Sequence, residues 1–434
     1  MLIPLTLMVA VAPSLAPDAL SVWQVLPTEP ASMAVRVLAP VVEGESSQRS
    51  FSIALAPANQ EVFKAQPIAI GDEAPQQWFA GTRLPGCMSP YAYHTLRDCL
   101  LPGSVVVRSS PNEAEAKTYA LGADYLLDEK WGSLGRVGEG SIPPGATVYV
   151  DYVAGLERID AVALLPDGQA VLVTGTPEKV CPKPPALPEN AAPLANVYLP
   201  FNTTAVTADL VYPIRTNEVA APGQTPEHKA AAVKNTLAKL RAGGAVTIVF
   251  LGDSVTAGGD ATKPELRFVD RFGIELRRRF PSATVNVVNA GIGGTNSDLG
   301  LERLDKDVLA YDPDLVCIEF VNDMFWPPEK VRENYTALVD RIRARGGEVI
   351  IITPHLMMPE WMEKFGPAAQ ALREAAAERQ VGLADVSLAW QNVRLLGIPY
   401  QTLLANGINH PDDRGHKIFV DALLSFFPQA SRAA

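Results

Sequence analysis

Beyond residue 226 the chain alternates short apolar runs with amphipathic helical stretches, and that alternation restricts it to one class of architecture. Val246–Leu251 (VTIVFL), Thr284–Val288, Leu315–Val321, Glu348–Thr353 (EVIIIT) and Val381–Val386 read as buried strands. Glu227–Arg241, Glu265–Phe280, Asp298–Tyr311, Glu329–Arg345, Pro367–Arg379 and His416–Phe426 carry helical spacing, with Gly243-Gly244 and Gly346-Gly347 as stops. Apolar strands joined by helices belong in a parallel sheet covered on both faces. Such sheets bind ligands beyond the carboxyl ends of their strands, so chemistry is sought there.

Before residue 226 helical periodicity is scarce. Runs at Ser104–Arg108, Thr147–Val153, Ile159–Leu165, Ala170–Thr174 and Ala195–Leu199 are separated by Gly, Pro and Asn/Asp signals, the pattern of a β sandwich or barrel. Leu165-Pro166-Asp167-Gly168 reads as a hairpin turn, with Pro at the first corner and Gly supplying positive φ. Lys183–Pro193 is Pro-rich and reads as a stiff linker or surface crossing. The expected division is a signal peptide over 1–16, a β-rich accessory domain over 17–190, a linker and crossing strand over 191–226, and an α/β domain over 227–434.

Charge narrows the partners. Forty-eight Asp+Glu against 37 Lys+Arg leave a net charge of -11, which argues against nucleic acid. Arg277-Arg278-Arg279 falls late in a helical stretch and reads as a solvated helix end. Met1–Ala16 carries no charged side chain and ends in Ser14-Leu15-Ala16, suited to signal cleavage; yet the first basic residue is Arg36, and prolines interrupt the stretch. A cleaved signal implies a secreted or periplasmic protein; a buried N-terminal strand, the alternative, implies a cytoplasmic one. No later run reaches the roughly 18 apolar residues of a membrane span. Cys87 and Cys99 are either a disulfide or two free thiols, and both readings stay open.

Four strand ends hold the chemistry-bearing residues. The first strand runs into Gly252-Asp253-Ser254-Val255-Thr256-Ala257-Gly258-Gly259, a lone Ser among small residues, readable as a helix cap or as an exposed hydroxyl. The second ends in Asn289-Ala290-Gly291-Ile292-Gly293-Gly294-Thr295-Asn296-Ser297; as a dinucleotide fingerprint it fails, because the third glycine falls at Asn296. Such a loop can present a main-chain N–H to an oxyanion. The third ends in Glu319-Phe320-Val321-Asn322-Asp323, where the Asn amide is either a turn former or an uncharged donor. Ahead of the last helix lies Asn409-His410-Pro411-Asp412-Asp413-Arg414-Gly415-His416, whose His410–His416 spacing matches no standard helical metal pair, so neither metal nor cofactor is expected.

Ser, Gly, Asn and His at successive strand ends resemble the SGNH hydrolases, the GDSL esterase/lipase family, over about residues 245–426. The resemblance implies a flavodoxin-like three-layer α/β/α domain and ester hydrolysis through an acyl-enzyme. It makes Ser254 the nucleophile and an oxyanion donor through its N–H, Gly294 and Asn322 the other donors, and His410 the general base. Thr256 excludes the GxSxG elbow of α/β-hydrolases. Two positions depart from the family pattern: Phe320 replaces a Gly two residues before Asn322, and Gly407 replaces the acid three residues before His410. Asp412 and Asp413 are candidate acids if the loop folds back; a backbone carbonyl, giving a Ser-His dyad, is the alternative. Members of that family with a β-rich companion domain often remove acetyl groups from carbohydrates, so the resemblance implies carbohydrate O-acetyl or other short-chain esters as substrates, with Phe325, Trp326 and Trp361 as a sugar- or acyl-binding wall or as packing residues. His355 reads as a loop histidine, with a place in the cleft as the other option. A catalytically idle module that binds carbohydrate or a cell surface is the competing function, and acyl transfer to an alcohol would use the same residues.

Overall fold

A computed structural model of the chain describes residues 23–41, 48–216 and 224–428. Among these, 224–393 and 408–428 form one compact unit, and 23–216 with 394–407 form a second. The proposed signal segment lies outside the described residues. No described helix is long and apolar enough to cross a membrane.

The second unit is built from antiparallel strands. They are β1 Gln24–Pro27, β2 Ala34–Leu38, β3 Ser50–Ala54, β4 Gln60–Ala69, β5 Thr82–Arg83, β6 Val106–Arg108 and β7 Tyr125–Asp128. Then follow β8 Ser133–Arg136, β9 Thr147–Gly155, β10 Arg158–Leu164, β11 Ala170–Val173, β12 Ala192–Leu199 and β13 Val211–Pro213. Sheet β1-β2-β3 and sheet β11-β10-β12-β13 share one core, in which Val25, Val35 and Val37 meet Val162, Leu164 and Val197. Sheets β4-β9-β6 and β5-β8-β7 share another around Val107, Leu134, Val150 and Tyr152. The turn at 165–168 joins β10 to β11 as read from the sequence, with Gly168 at φ +84°. Ala192–Leu199 pairs with both β10 and β13, so it is an inner strand. Cys87 and Cys99 are buried free thiols.

The first unit holds five parallel strands, β14 Ala245–Gly252, β15 Thr284–Gly291, β16 Leu315–Glu319, β17 Glu348–Ile352 and β18 Gly382–Ala384, in the order β15-β14-β16-β17-β18. Numbered from its own first strand this is 2-1-3-4-5, the flavodoxin-like order, whose switch point lies between the first and third strands. Alternate residues of β14 feed opposite faces. Val249 and Leu251 join Val316, Ile318, Leu304, Tyr335, Leu338 and Leu372 on one. On the other, Phe250 meets Phe268 and Phe272 edge-on at 5.8 and 5.4 Å. Each fully buried aliphatic or phenyl side chain here contributes about 1.5–3 kcal/mol.

Two local readings need correction. The stretch 227–241 is two helices, Pro226–Ala232 and Lys234–Arg241, parted at Val233 (φ -125°, ψ 29°). The run 381–386 is a three-residue strand followed by the helix Val386–Asn392, which Asp385 caps by accepting from the Leu388 N–H.

Candidate active site

Gly252 pairs with Gly291 on one side and Glu319 on the other, so three strand ends finish at the same level. A Cβ on Gly252 would lie 2.0 Å from Thr256 Oγ1 and 2.2 Å from the Glu319 carbonyl oxygen, which leaves only glycine for so tight a turn. Asp253 is fully buried and bridges two of these ends. Its Oδ1 accepts from the Val255 N–H at 3.0 Å, and its Oδ2 accepts from the Asn322 N–H at 3.0 Å. Ser254 opens the short helix Ser254–Ala257, whose first N–H groups have no intrahelical acceptor. Gly258, at φ +90°, ends it.

The hydroxyl of Ser254 lies 2.9 Å from His410 Nε2. On the far side of the imidazole, Nδ1 lies 2.7 Å from Asp260 Oδ2. A carboxylate only accepts, so Nδ1 carries the proton and Nε2 is free to accept from the serine. Both side chains are mostly buried, Asp260 16% and His410 17% exposed, so the pair is little screened. Asp260 was not a candidate in the sequence reading. It stands six residues after Ser254, past Gly258-Gly259, where the chain doubles back; a Cβ on Gly259 would fall 2.8 Å from the His410 ring.

The two conditional candidates from the sequence, Asp412 and Asp413, make other contacts. Asp412 caps the helix Asp413–Leu424, accepting from the N–H groups of Arg414 and Gly415, and pairs with the Arg414 guanidinium at 2.7 Å. Asp413 accepts from the Thr262 N–H at 2.9 Å and from its hydroxyl at 2.6 Å. Gly407, at the usual acid position, has φ +67°, a left-handed conformation that a side chain would strain. Its segment is committed to the β-rich unit, where Asn196 donates to the Gly397 carbonyl and Ser89 to the Ala405 carbonyl. With Asp260 on Nδ1, the dyad reading is superseded.

Asn322 follows β16, and its side-chain amide donates to the Thr295 carbonyl at 2.9 Å, which fixes its orientation and leaves the second N–H. Gly294, in the neighbouring loop, has φ +74°. Gly293 is so close to Ser254 that its added Cβ would sit 3.8 Å from Ser254 Cβ. Phe320 does not displace Asn322. Its buried ring lies over Gly300, where an added Cβ would come within 2.6 Å of Phe320 Cζ, so a helical glycine makes the room.

Residues 250–418 match the GDSL-like lipase/acylhydrolase family. The resemblance read from the strand ends is to the same family and falls on the same part of the chain. No curated protein matches the chain. Among solved structures, a two-domain esterase active on acetylated mannans is similar at 27% identity and a TM-score of 0.40, over 46% of this chain and 55% of that one. The chain thus spans about half the length of that esterase. An acetylxylan esterase from Geobacillus stearothermophilus is similar at 22% identity and a TM-score of 0.39, over 44% of this chain and 97% of that one.

Beneath Ser254 the parallel-sheet unit buries three carboxyls. Burial pushes Asp253 up to about 6, against hydrogen bonds from the Val255 and Asn322 N–H groups, and pushes Asp323 up to about 7. Glu319, which accepts from the Thr256 hydroxyl at 2.8 Å, is raised further by burial and by Asp253. Around the strand ends, Phe325 and Trp326 are 48% and 42% exposed, and Phe325 meets Trp361 edge-to-face at 5.1 Å. Phe325 also lies under the Lys364 ammonium, 5.0 Å from its ring centre. His355 is fully buried, so it lines no cleft. Among the described residues, no group of three or more His, Cys, Asp or Glu is placed to hold a metal.

Proposed function

We propose that the protein is a serine esterase that cleaves carboxylic esters through an acyl-enzyme. The observation that carries the reading is the unbroken chain from Asp260 Oδ2 through both nitrogens of His410 to Ser254 Oγ. His410 takes the serine proton as Oγ bonds to the ester carbonyl carbon. Negative charge collects on the former carbonyl oxygen, and the N–H groups of Ser254 and Gly294 and the amide of Asn322 are the donors assigned to it. The imidazolium, stabilised by Asp260, then gives its proton to the departing alcohol as the carbon–oxygen bond breaks. Water repeats the sequence on the acyl-enzyme, releasing the acid and restoring Ser254.

Short acyl groups on carbohydrate are the substrates assigned to this site, with the exposed Phe325 and Trp326 and the half-buried Trp361 facing the sugar. Acetylated mannan and acetylxylan, named for the two similar esterases, are the first to try. The idle-module reading drew its force from the missing acid at Gly407, and Asp260 removes that ground. Ser254→Ala is expected to abolish hydrolysis of p-nitrophenyl acetate, by a factor on the order of 10⁶, with the fold intact. Turnover unchanged in the purified variant would end the proposal. Analysing products with and without added sugar alcohol separates hydrolysis from acyl transfer.

A further inference from the structure

Two histidines outside the Ser254–His410–Asp260 chain are wholly buried, and each meets the backbone beside one member of it. His355, just past β17, has Nε2 2.8 Å from the carbonyl oxygen of Asn409, the residue before His410. His416, in the helix Asp413–Leu424, has Nε2 3.3 Å from the carbonyl oxygen of Gly259, the residue before Asp260. A carbonyl oxygen only accepts, so both rings donate from Nε2. The Nδ1 atom of each has no hydrogen-bond partner among the described residues.

Their surroundings hold both rings neutral. His355 lies against Trp390 at 4.8 Å and Phe419 at 5.6 Å. His416 stacks on Phe268 at 6.1 Å, and Phe268 stacks on Phe419 at 4.8 Å. The result is a continuous buried row, His355–Phe419–Phe268–His416, ending on the two carbonyls. Burial depresses His355 to about 3 and His416 to about 4, so neither gains a second N–H near neutral pH.

We propose that His355 and His416 are positioning residues that hold His410 and Asp260 at hydrogen-bond separation. The inference rests on the reading of His410 as base and Asp260 as its orienting acid. An acid three residues from the histidine would be placed by its own loop. Here the two groups sit on separate loops, 150 positions apart, and each backbone must be anchored on its own. The Thr262–Asp413 pair ties the Asp260 loop directly to the segment that follows His410. The need is steep, because a displacement of about 1 Å can cost on the order of 10² in rate.

The test compares His355→Phe and His416→Phe, which keep a ring but lose the donor, with His355→Gln and His416→Gln, whose amide can still donate. Two readouts are needed: steady-state kinetics on p-nitrophenyl acetate, and the downfield proton NMR signal of His410 Nδ1–H in substrate-free protein. The Phe variants are expected to lose about 10² in kcat at unchanged KM and to shift or broaden that signal, while the Gln variants recover most of both. In an Asp260→Asn background His416→Phe should cost almost nothing more, because the carboxylate it places is already gone, whereas His355→Phe, which anchors the base itself, should still cost activity. Equal losses from His416→Phe in both backgrounds, or Phe variants with wild-type kcat and signal, would overturn the proposal. Should a Phe variant not fold, His→Asn, whose shorter amide falls short of the carbonyl, takes its place. Wild-type protein without Ser254-dependent hydrolysis, yet with a His410 signal that responds to His416→Phe, would fault the esterase reading and leave the positioning role standing.

Discussion

Replacing Asp260 by Asn leaves the loop and the volume of the side chain in place but removes the charge that faces His410 at 2.7 Å. In the transition state His410 is an imidazolium. Two unit charges with centres about 4 Å apart attract by about 4 kcal/mol at an effective dielectric constant near 20, a value suited to a pair this sheltered. That stabilisation corresponds to about three decades in rate. An amide can also hold the imidazole in the wrong tautomer, and losing the acid of a serine triad in this way costs about 10⁴ in kcat. Asp260→Asn is therefore expected to lower kcat on p-nitrophenyl acetate by about 10³–10⁴ with KM little changed. Asp412→Asn serves as control and should stay near wild type, because its carboxyl caps a helix and pairs with Arg414. If Asp260→Asn kept wild-type kcat while Asp412→Asn lost it, the assignment of the acid would be refuted.

Three further outcomes follow from the geometry. Asn322→Ala should lower kcat by about 10²–10³ with little change in KM, as expected for one oxyanion donor. Gly259→Ala places a methyl 2.8 Å from the His410 ring and should cost on the order of 10² in kcat while circular dichroism shows an intact fold. Asp323→Asn tests the buried carboxyls through stability. The folded-state value of Asp323 is raised from 3.8 to about 7, so its contribution is fully present below 3.8 and is lost as pH rises through 7. An asparagine at 323 does not titrate and can still accept from the Ser297 N–H, so the variant should gain up to about 4 kcal/mol on wild type between roughly pH 4 and pH 8. Urea midpoints read this directly, and a difference independent of pH would contradict it. His355 and His416 act with the opposite sign: stability is full above 6.5 and is lost as pH falls through their depressed folded values.

The parallel sheet was legible because its strands are nearly continuous apolar runs bounded by glycines. The early β strands were not: Ser50–Ala54 and most of Gln60–Ala69 alternate between exposed and half-buried positions, so no apolar run marks them. The helix Val386–Asn392 escaped notice because Val381–Val386 looks like one strand, although Asp385 caps a helix within it. At the site, Ser254 and His410, which the structure brings to 2.9 Å, were legible as candidates because the residues around them form local motifs. Asp260 was overlooked because the search for an acid assumed a fixed spacing from the histidine. Its signal was present as an Asp straight after a Gly-Gly pair in the nucleophile loop. The tolerance of Phe320 depends on Gly300, a contact between residues twenty positions apart that no local pattern displays.

Covalent capture of the nucleophile tests the central claim most directly. A fluorophosphonate should add to one serine, and peptide mass spectrometry should place the adduct on Ser254. Labelling should vanish in Ser254→Ala and slow sharply in His410→Ala. A folded protein that takes up no label, or takes it up on another serine with Ser254 unmodified, would contradict the account.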